Sequence, residues 1–177
     1  MSTIDLYTEH YRLRLMTPAM VTSRWVEWSS DSAIMRQLNA KTKKLSKADI
    51  QNYVAASTAK KLAIVGIFRR SDGDHVGIYE VLFDQTHRNA NLDILIDINR
   101  YGLSDVLTET DPVLLAHLQQ RFGAEKAAMV IPKTYTAMIR HAAESGWKQE
   151  GVLRVEYPSA RGGQRIDGLQ FGKTLKI

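Results

Sequence analysis

The chain has 177 residues and carries 24 Lys and Arg against 19 Asp and Glu, a formal net charge of +5. Its 44% hydrophobic and 24% charged content is that of a globular protein, which excludes disorder, collagen or coiled coil as a description of the whole. There is no cysteine, so disulfides, thiolate catalysis and cysteine zinc sites are excluded.

The length fits one domain of about 100–200 residues, and no linker, repeat or low-complexity tract divides it; the expectation is a single domain over 1–177. The first ten residues hold no apolar run and no basic leader, so no secretory signal is expected. No stretch approaches the ~20 apolar residues that span a bilayer. The expected location is the cytoplasm, or a particle assembled there, with no membrane partner. The positive charge favours anionic partners. Lys41, Lys43, Lys44 and Lys47 cluster, but no aromatic alternates with them to stack bases. A solvated loop is the plainer reading, and nucleic acid is not an expected partner.

In chain order, Tyr11–Leu15 (YRLRL) alternates with period two and predicts a half-buried strand. Thr17-Pro18 opens a helix expected to run to Ser29, carrying Met20, Val21, Trp25 and Trp28. A short helical piece follows at Ser32–Leu38. Ser46-Lys47-Ala48-Asp49 resembles a capping box and starts a helix through Ser57, with Ile50, Tyr53 and Val54 on one face. Leu62–Phe68 and His75–Phe83 read as two strands around the turn Ser71–Asp74. Leu92–Ile98 is a central strand. Asn99–Asp111 lacks periodicity and predicts a long loop. Asp111-Pro112 then opens a helix ending at Gly123. Ala127–Ile131 is a strand, Thr134–Glu144 a helix, and Gly151–Tyr157 and Ile166–Leu175 two strands joined by the turn 159–165. The expected class is α/β (α+β): a mixed, mostly antiparallel sheet of about seven strands with helices on both faces.

This order, with four local stretches, resembles the GNAT superfamily of acyl-CoA-dependent N-acyltransferases, most nearly its Rim-type ribosomal-protein-alanine acetyltransferase branch. The stretches are Tyr11–Leu15; Trp25, Trp28 and Asp31; His87-Arg88 before Leu92; and Ser145-Gly146-Trp147 with Glu150-Gly151-Val152-Leu153-Arg154. The resemblance spans residues 11–175. It implies two parallel strands that splay apart around a pantetheine arm, and acetyl-CoA as cofactor. It also implies a helix N-terminus that binds the pyrophosphate, and a base that frees an amine for direct attack.

The site motifs depart from the family's pattern. Its phosphate loop matches Asn99-Arg100-Tyr101-Gly102-Leu103-Ser104 in the glycine Gly102 alone, so the resemblance implies cofactor binding by Asn99, Arg100, Gly102, Leu103 and Ser104. Asp105, Glu109 and Asp111 bring three carboxylates towards that place. Asn91 stands where Rim-type enzymes carry a Glu, which leaves Glu80 and Asp93 as candidate bases; the plainer reading makes both solvent-facing strand residues. Tyr135 and His141 are the candidate acids for the leaving thiolate, His141 being by default a surface residue. The implied function is acetyl transfer from acetyl-CoA to a primary amine of a small molecule or peptide, through a degenerate active site. The alternative is a non-catalytic module of the same fold with protein partners in a larger assembly, for example a phage virion. The histidines are not spaced as metal ligands, so no metal site is expected.

Overall fold

The computed structural model describes residues 4–59, 62–159 and 163–175. Its strands are β1 Asp5–Tyr7, β2 Tyr11–Leu15, β3 Leu62–Arg69, β4 His75–Asp84, β5 Asn89–Ile96, β6 Lys126–Pro132, β7 Lys148–Tyr157 and β8 Ile166–Thr174. They form one sheet in the order β1-β2-β3-β4-β5-β6-β8-β7. Every neighbouring pair is antiparallel except β5 and β6. The sheet therefore has eight strands where about seven were expected. The extra one, β1, is three residues long, too short to show a period, and is held on β2 by an Arg12–Asp5 ion pair at 2.8 Å. The centre of the expected turn 159–165 lies outside the described residues.

Helices α1 Ser23–Trp28, α2 Ser32–Met35 and α3 Lys47–Ala59 cover one face; α4 Leu103–Phe122 and α5 Thr136–Glu144 cover the other. Alternation along β3 sorts the two cores, because successive side chains of a strand point to opposite faces. Ile64 packs with Trp25, Trp28, Ile34, Ile50 and Val54, whereas Ala63, Val65 and Ile67 pack with the inner face of α4. The capping box at α3 forms as read: Asp49 Oδ2 accepts from the Ser46 amide at 2.8 Å and the Ser46 Oγ at 2.7 Å.

Two expected helices differ. The one from Pro18 to Ser29 breaks into a 3-10 turn, Pro18–Met20, and α1, because Val21 and Thr22 are extended. Thr22 starts α1 by accepting from the Trp25 amide at 3.3 Å, and it also bonds His75 Nδ1 at 2.8 Å. The second difference is larger. Residues 103–111 are not a loop: α4 runs 20 residues with Pro112 inside it. Proline there costs about 3 kcal/mol. It leaves the Thr108 carbonyl without its amide, but Thr108 and Pro112 are both exposed, so water reaches that carbonyl. Leu103, Val106, Leu107, Leu114, Leu115 and Leu118 are buried along one stripe across the break. At about 1.5–3 kcal/mol for each buried side chain, the stripe outweighs the proline.

Candidate active site

The parallel pair β5–β6 holds for three residues only, Asn89 to Asn91 against Lys126 to Ala128. Beyond them the strands part, although β5 stays paired with β4 and β6 with β8. A cavity of about 320 Å³ opens between them, lined on its two sides by Leu92, Asp93 and Ile94 and by Met129 through Pro132. Asp97 donates to Val76 on β4, whereas Ile96 does not turn its backbone towards β4. By alternation, the C=O of Leu92 and the N–H and C=O of Ile94 face the gap, the Leu92 N–H closing the last bridge of the paired stretch. Backbone groups of this kind require partners, so the gap has an amide-binding edge.

Glu80 of β4 and Asp93 of β5 are directly paired across the ladder, and both line the cavity. Tyr53 of α3 donates to Glu80 Oε1 at 2.7 Å. Among the described residues neither carboxylate has a basic partner, and no Lys or Arg lines the cavity. Burial raises the Glu80 carboxyl above its ordinary range. The Tyr53 hydroxyl opposes that, and the Asp93 charge adds to it. Burial raises Asp93 too, although the residue as a whole is exposed. The pair therefore holds protons more readily than free carboxylates do and has no cation of its own.

Tyr135, the residue that caps α5, lines this cavity and a second one of about 530 Å³ towards Ile98 and Thr134. Its hydroxyl is buried without a hydrogen-bond partner among the described residues, and burial raises its pKa. Tyr157 donates to the Val130 carbonyl at 3.2 Å, and burial pushes it up to about 12. Glu80, Asp93 and Tyr135 thus meet in one cleft.

His141 does not join them. It is neither at the surface nor in the cleft, but 1% exposed under α5. Its Nε2 lies 3.3 Å from Asp111 Oδ2. Asp111 Oδ1 accepts from the Tyr79 hydroxyl at 2.6 Å, and Thr110 Oγ1 lies 2.6 Å from that hydroxyl.

The candidate phosphate loop sits where β5 ends and α4 begins. Gly102 precedes the helix with no side chain to cap it, so among the described residues the amides that open the helix have no side-chain cap. Such a helix start attracts anions. Two of the three carboxylates turn away. Glu109 accepts from the His10 amide at 2.6 Å and from Thr8, and Asp111 is buried below. Asp105 does not: a Cβ on Gly102 would run into its carboxylate. Asn99 donates to Asp31 Oδ2 at 2.8 Å, and Arg100 pairs with Asp74 at 2.5 Å, as does the Tyr101 hydroxyl. Asn99 and Arg100 are therefore engaged within the protein.

Three contributors carried no local signal. Tyr53 read as one more core position of α3. Gln37 contacts β5 across 59 residues of sequence. Val130 through Pro132 function through where β6 diverges, which composition does not encode.

An eight-stranded, mostly antiparallel sheet that splits at its one parallel pair, with helices on both faces, is the GNAT fold. No family model matches the sequence, nor does any curated protein sequence. Solved structures do. The chain is similar to RimL, the ribosomal L7/L12 alpha-N-protein acetyltransferase, with a TM-score of 0.81 at 12% identity over 98% of this chain and 95% of that one. It is similar to spermidine N-acetyltransferase from Vibrio cholerae in complex with CoA and spermine, at 0.79 and 14% over 93% and 95%. It is also similar to the microcin C7 self-immunity acetyltransferase MccE in complex with acetyl-CoA and AMP, at 0.77 and 13% over 94% and 93%. At these identities the likeness shows the fold, with Rim-type proteins among those that share it. No helix among the described residues is long and apolar enough to cross a membrane.

Proposed function

We propose that the protein is an N-acetyltransferase that uses acetyl-CoA and a primary amine. The observation that carries the reading is the split between β5 and β6, with a carboxylate pair in its wall that has no cation among the described residues. The chain's groups fit the cofactor: the edge of β5 offers backbone partners to an amide-bearing arm, and the uncapped start of α4 offers amides to phosphate. Asn99, Arg100, Gly102, Leu103 and Ser104 stand at or before that start, and Arg100, now paired with Asp74, is the cation we assign to the phosphate.

Acetyl-CoA supplies an acetyl group activated as a thioester. The rest is the work of the protein. Glu80 and Asp93 attract the acceptor as its ammonium and remove the proton that would block attack. A carboxyl raised by burial does this better than an ordinary one, because its pKa lies nearer that of the amine. The new C–N bond forms as the C–S bond breaks. Tyr135 keeps its proton at neutral pH, because burial disfavours the phenolate; we assign it the protonation of the leaving sulfur, and the second amine proton, released as the amide forms, restores its hydroxyl. His141 has no part in this chemistry.

The acceptor is a peptide N-terminus or a small amine. The test is thiol release from acetyl-CoA with an L7/L12 N-terminal peptide and with spermidine as acceptors. Amine-dependent release that Glu80→Gln abolishes is the expected result; no release with any amine and no binding of CoA overturns it. The second reading is a non-catalytic module of this fold within an assembly. It is favoured by the Asn99–Asp31 and Arg100–Asp74 contacts and by the carboxylate of Asp105 beside Gly102. CoA binding without turnover would select it.

A further inference from the structure

The free edge of β5 is not free along its whole length. The side chain of Gln37, 4% exposed, donates from Nε2 to the Ile96 carbonyl at 2.6 Å and accepts from the Ile96 amide at 3.1 Å. The same carbonyl also accepts from the Ile98 amide at 2.8 Å. A primary carboxamide thus meets both backbone groups of one residue, as the backbone of a neighbouring strand would. Ile94 keeps its edge open to the cavity, and Ile96 does not.

The element that carries Gln37 spans the split. It is α2 with the 3-10 turn Arg36–Leu38 that continues it. On the β5 side it is tied by Gln37 to Ile96 and by Asp31 to Asn99, at 2.8 Å. On the other side Asn39, in the left-handed conformation at φ 48°, ends the turn and donates to the Pro158 carbonyl just past β7, at 2.9 Å. Gln37 and Tyr135 line both the cavity at the centre of the split and the one towards Ile98. They are the partition between the two.

We propose that Gln37 is a placeholder that competes with the cofactor arm: its carboxamide holds the place on Ile96 that an amide of the pantetheine arm takes, and it swings away when the arm lies at full depth. This rests on the proposed acetyl-CoA reading. It follows that CoA binding must break two hydrogen bonds within the protein. Losing that competitor tightens binding, and only for ligands that have the arm.

The experiment is calorimetric titration of wild type, Gln37→Leu and Gln37→Asn with CoA and with adenosine 3′,5′-bisphosphate, which lacks the arm. Asn is one methylene too short to meet both groups of Ile96, and it keeps a polar side chain should the Leu variant not fold. Both variants are expected to bind CoA roughly threefold to tenfold tighter, given the modest net worth of a hydrogen bond. The bisphosphate should bind all three proteins alike. Equal or weaker CoA binding in the variants, or an equal gain for the bisphosphate, overturns the proposal. If none of the three binds CoA, the acetyl-CoA reading falls as well; if all bind it equally, only the role of Gln37 falls. In the wild type, the Gln37 side-chain amide protons should lose their protection from exchange on saturation with CoA. Retained protection in the complex also contradicts the proposal.

Discussion

Tyr79 and Glu80 are consecutive residues of β4, and each leads to a carboxylate in a desolvated setting. Tyr79 points into the α4–α5 core and meets Asp111, whose oxygens are taken by the Tyr79 hydroxyl and by His141. Glu80 points to the opposite face, where Asp93 lies beside it and a single donor, Tyr53, serves it. The first group is complete, and it holds two helices against the sheet. The second lacks a cation among the described residues, opens onto a cavity, and is raised by burial. What separates a structural carboxylate from a chemical one here is not burial but whether the fold supplies the partner.

Glu80→Gln strikes at the incomplete side and should have the largest effect. Turnover is expected to fall about 10²–10⁴-fold, the usual contribution of a general base, with CoA affinity unchanged. The wild-type rate should decline as pH falls through a value above the ordinary Glu range, because the base works deprotonated; that limb should vanish in the variant. A variant with wild-type rate places the base elsewhere.

Asp111→Ala strikes at the complete side. It leaves the Tyr79 hydroxyl with Thr110 alone and His141 with Ser145 alone, and should cost about 1–3 kcal/mol in denaturant unfolding. A loss below about 1 kcal/mol means that the network adds little.

His75 extends the comparison to a buried base. It is 2% exposed, stacked on Phe68 at 4.6 Å, and burial lowers its pKa from 6.5 to about 4. The folded protein keeps it neutral, whereas the unfolded chain takes up a proton first as pH falls. Its contribution is therefore intact above pH about 6.5 and is lost towards pH 4, by up to about 3 kcal/mol. His75→Gln should flatten that slope in unfolding measured at pH 7 and pH 4.5; an unchanged slope assigns the acid sensitivity to other groups. The smallest effect belongs to Asp105→Asn. Removing the carboxylate beside Gly102 should tighten CoA binding a few-fold at low salt, and tighter binding that persists at high salt would contradict an electrostatic cause.

Much of this was legible in the sequence. Alternation gave the strands, Ser46 with Asp49 gave the start of α3, and the glycines at 123 and 146 marked helix ends at φ 69° and 79°. Pro112 misled, because local cost was read without the buried stripe that outweighs it. Glu80, Asp93 and Tyr135 were within reach as residue types, two carboxylates in mid-strand and a tyrosine at a helix start. Their convergence was not, since it depends on where β5 and β6 part. His141 shows the converse: an ionisable side chain at a plausible spacing that the packing of α5 on α4 assigns to the core. Gln37 carried no signal, because a bond to Ile96 across 59 positions leaves no local pattern.

The account stands on the gap between β5 and β6 being the seat of the arm, and backbone amide exchange at Ile94 reads that edge directly. Saturating CoA should slow exchange at this amide by tenfold or more, while Ala90 and Leu92, whose amides lie within the paired stretch, stay as they were. Unchanged exchange at Ile94 in protein shown to have bound CoA would place the cofactor elsewhere and contradict the account.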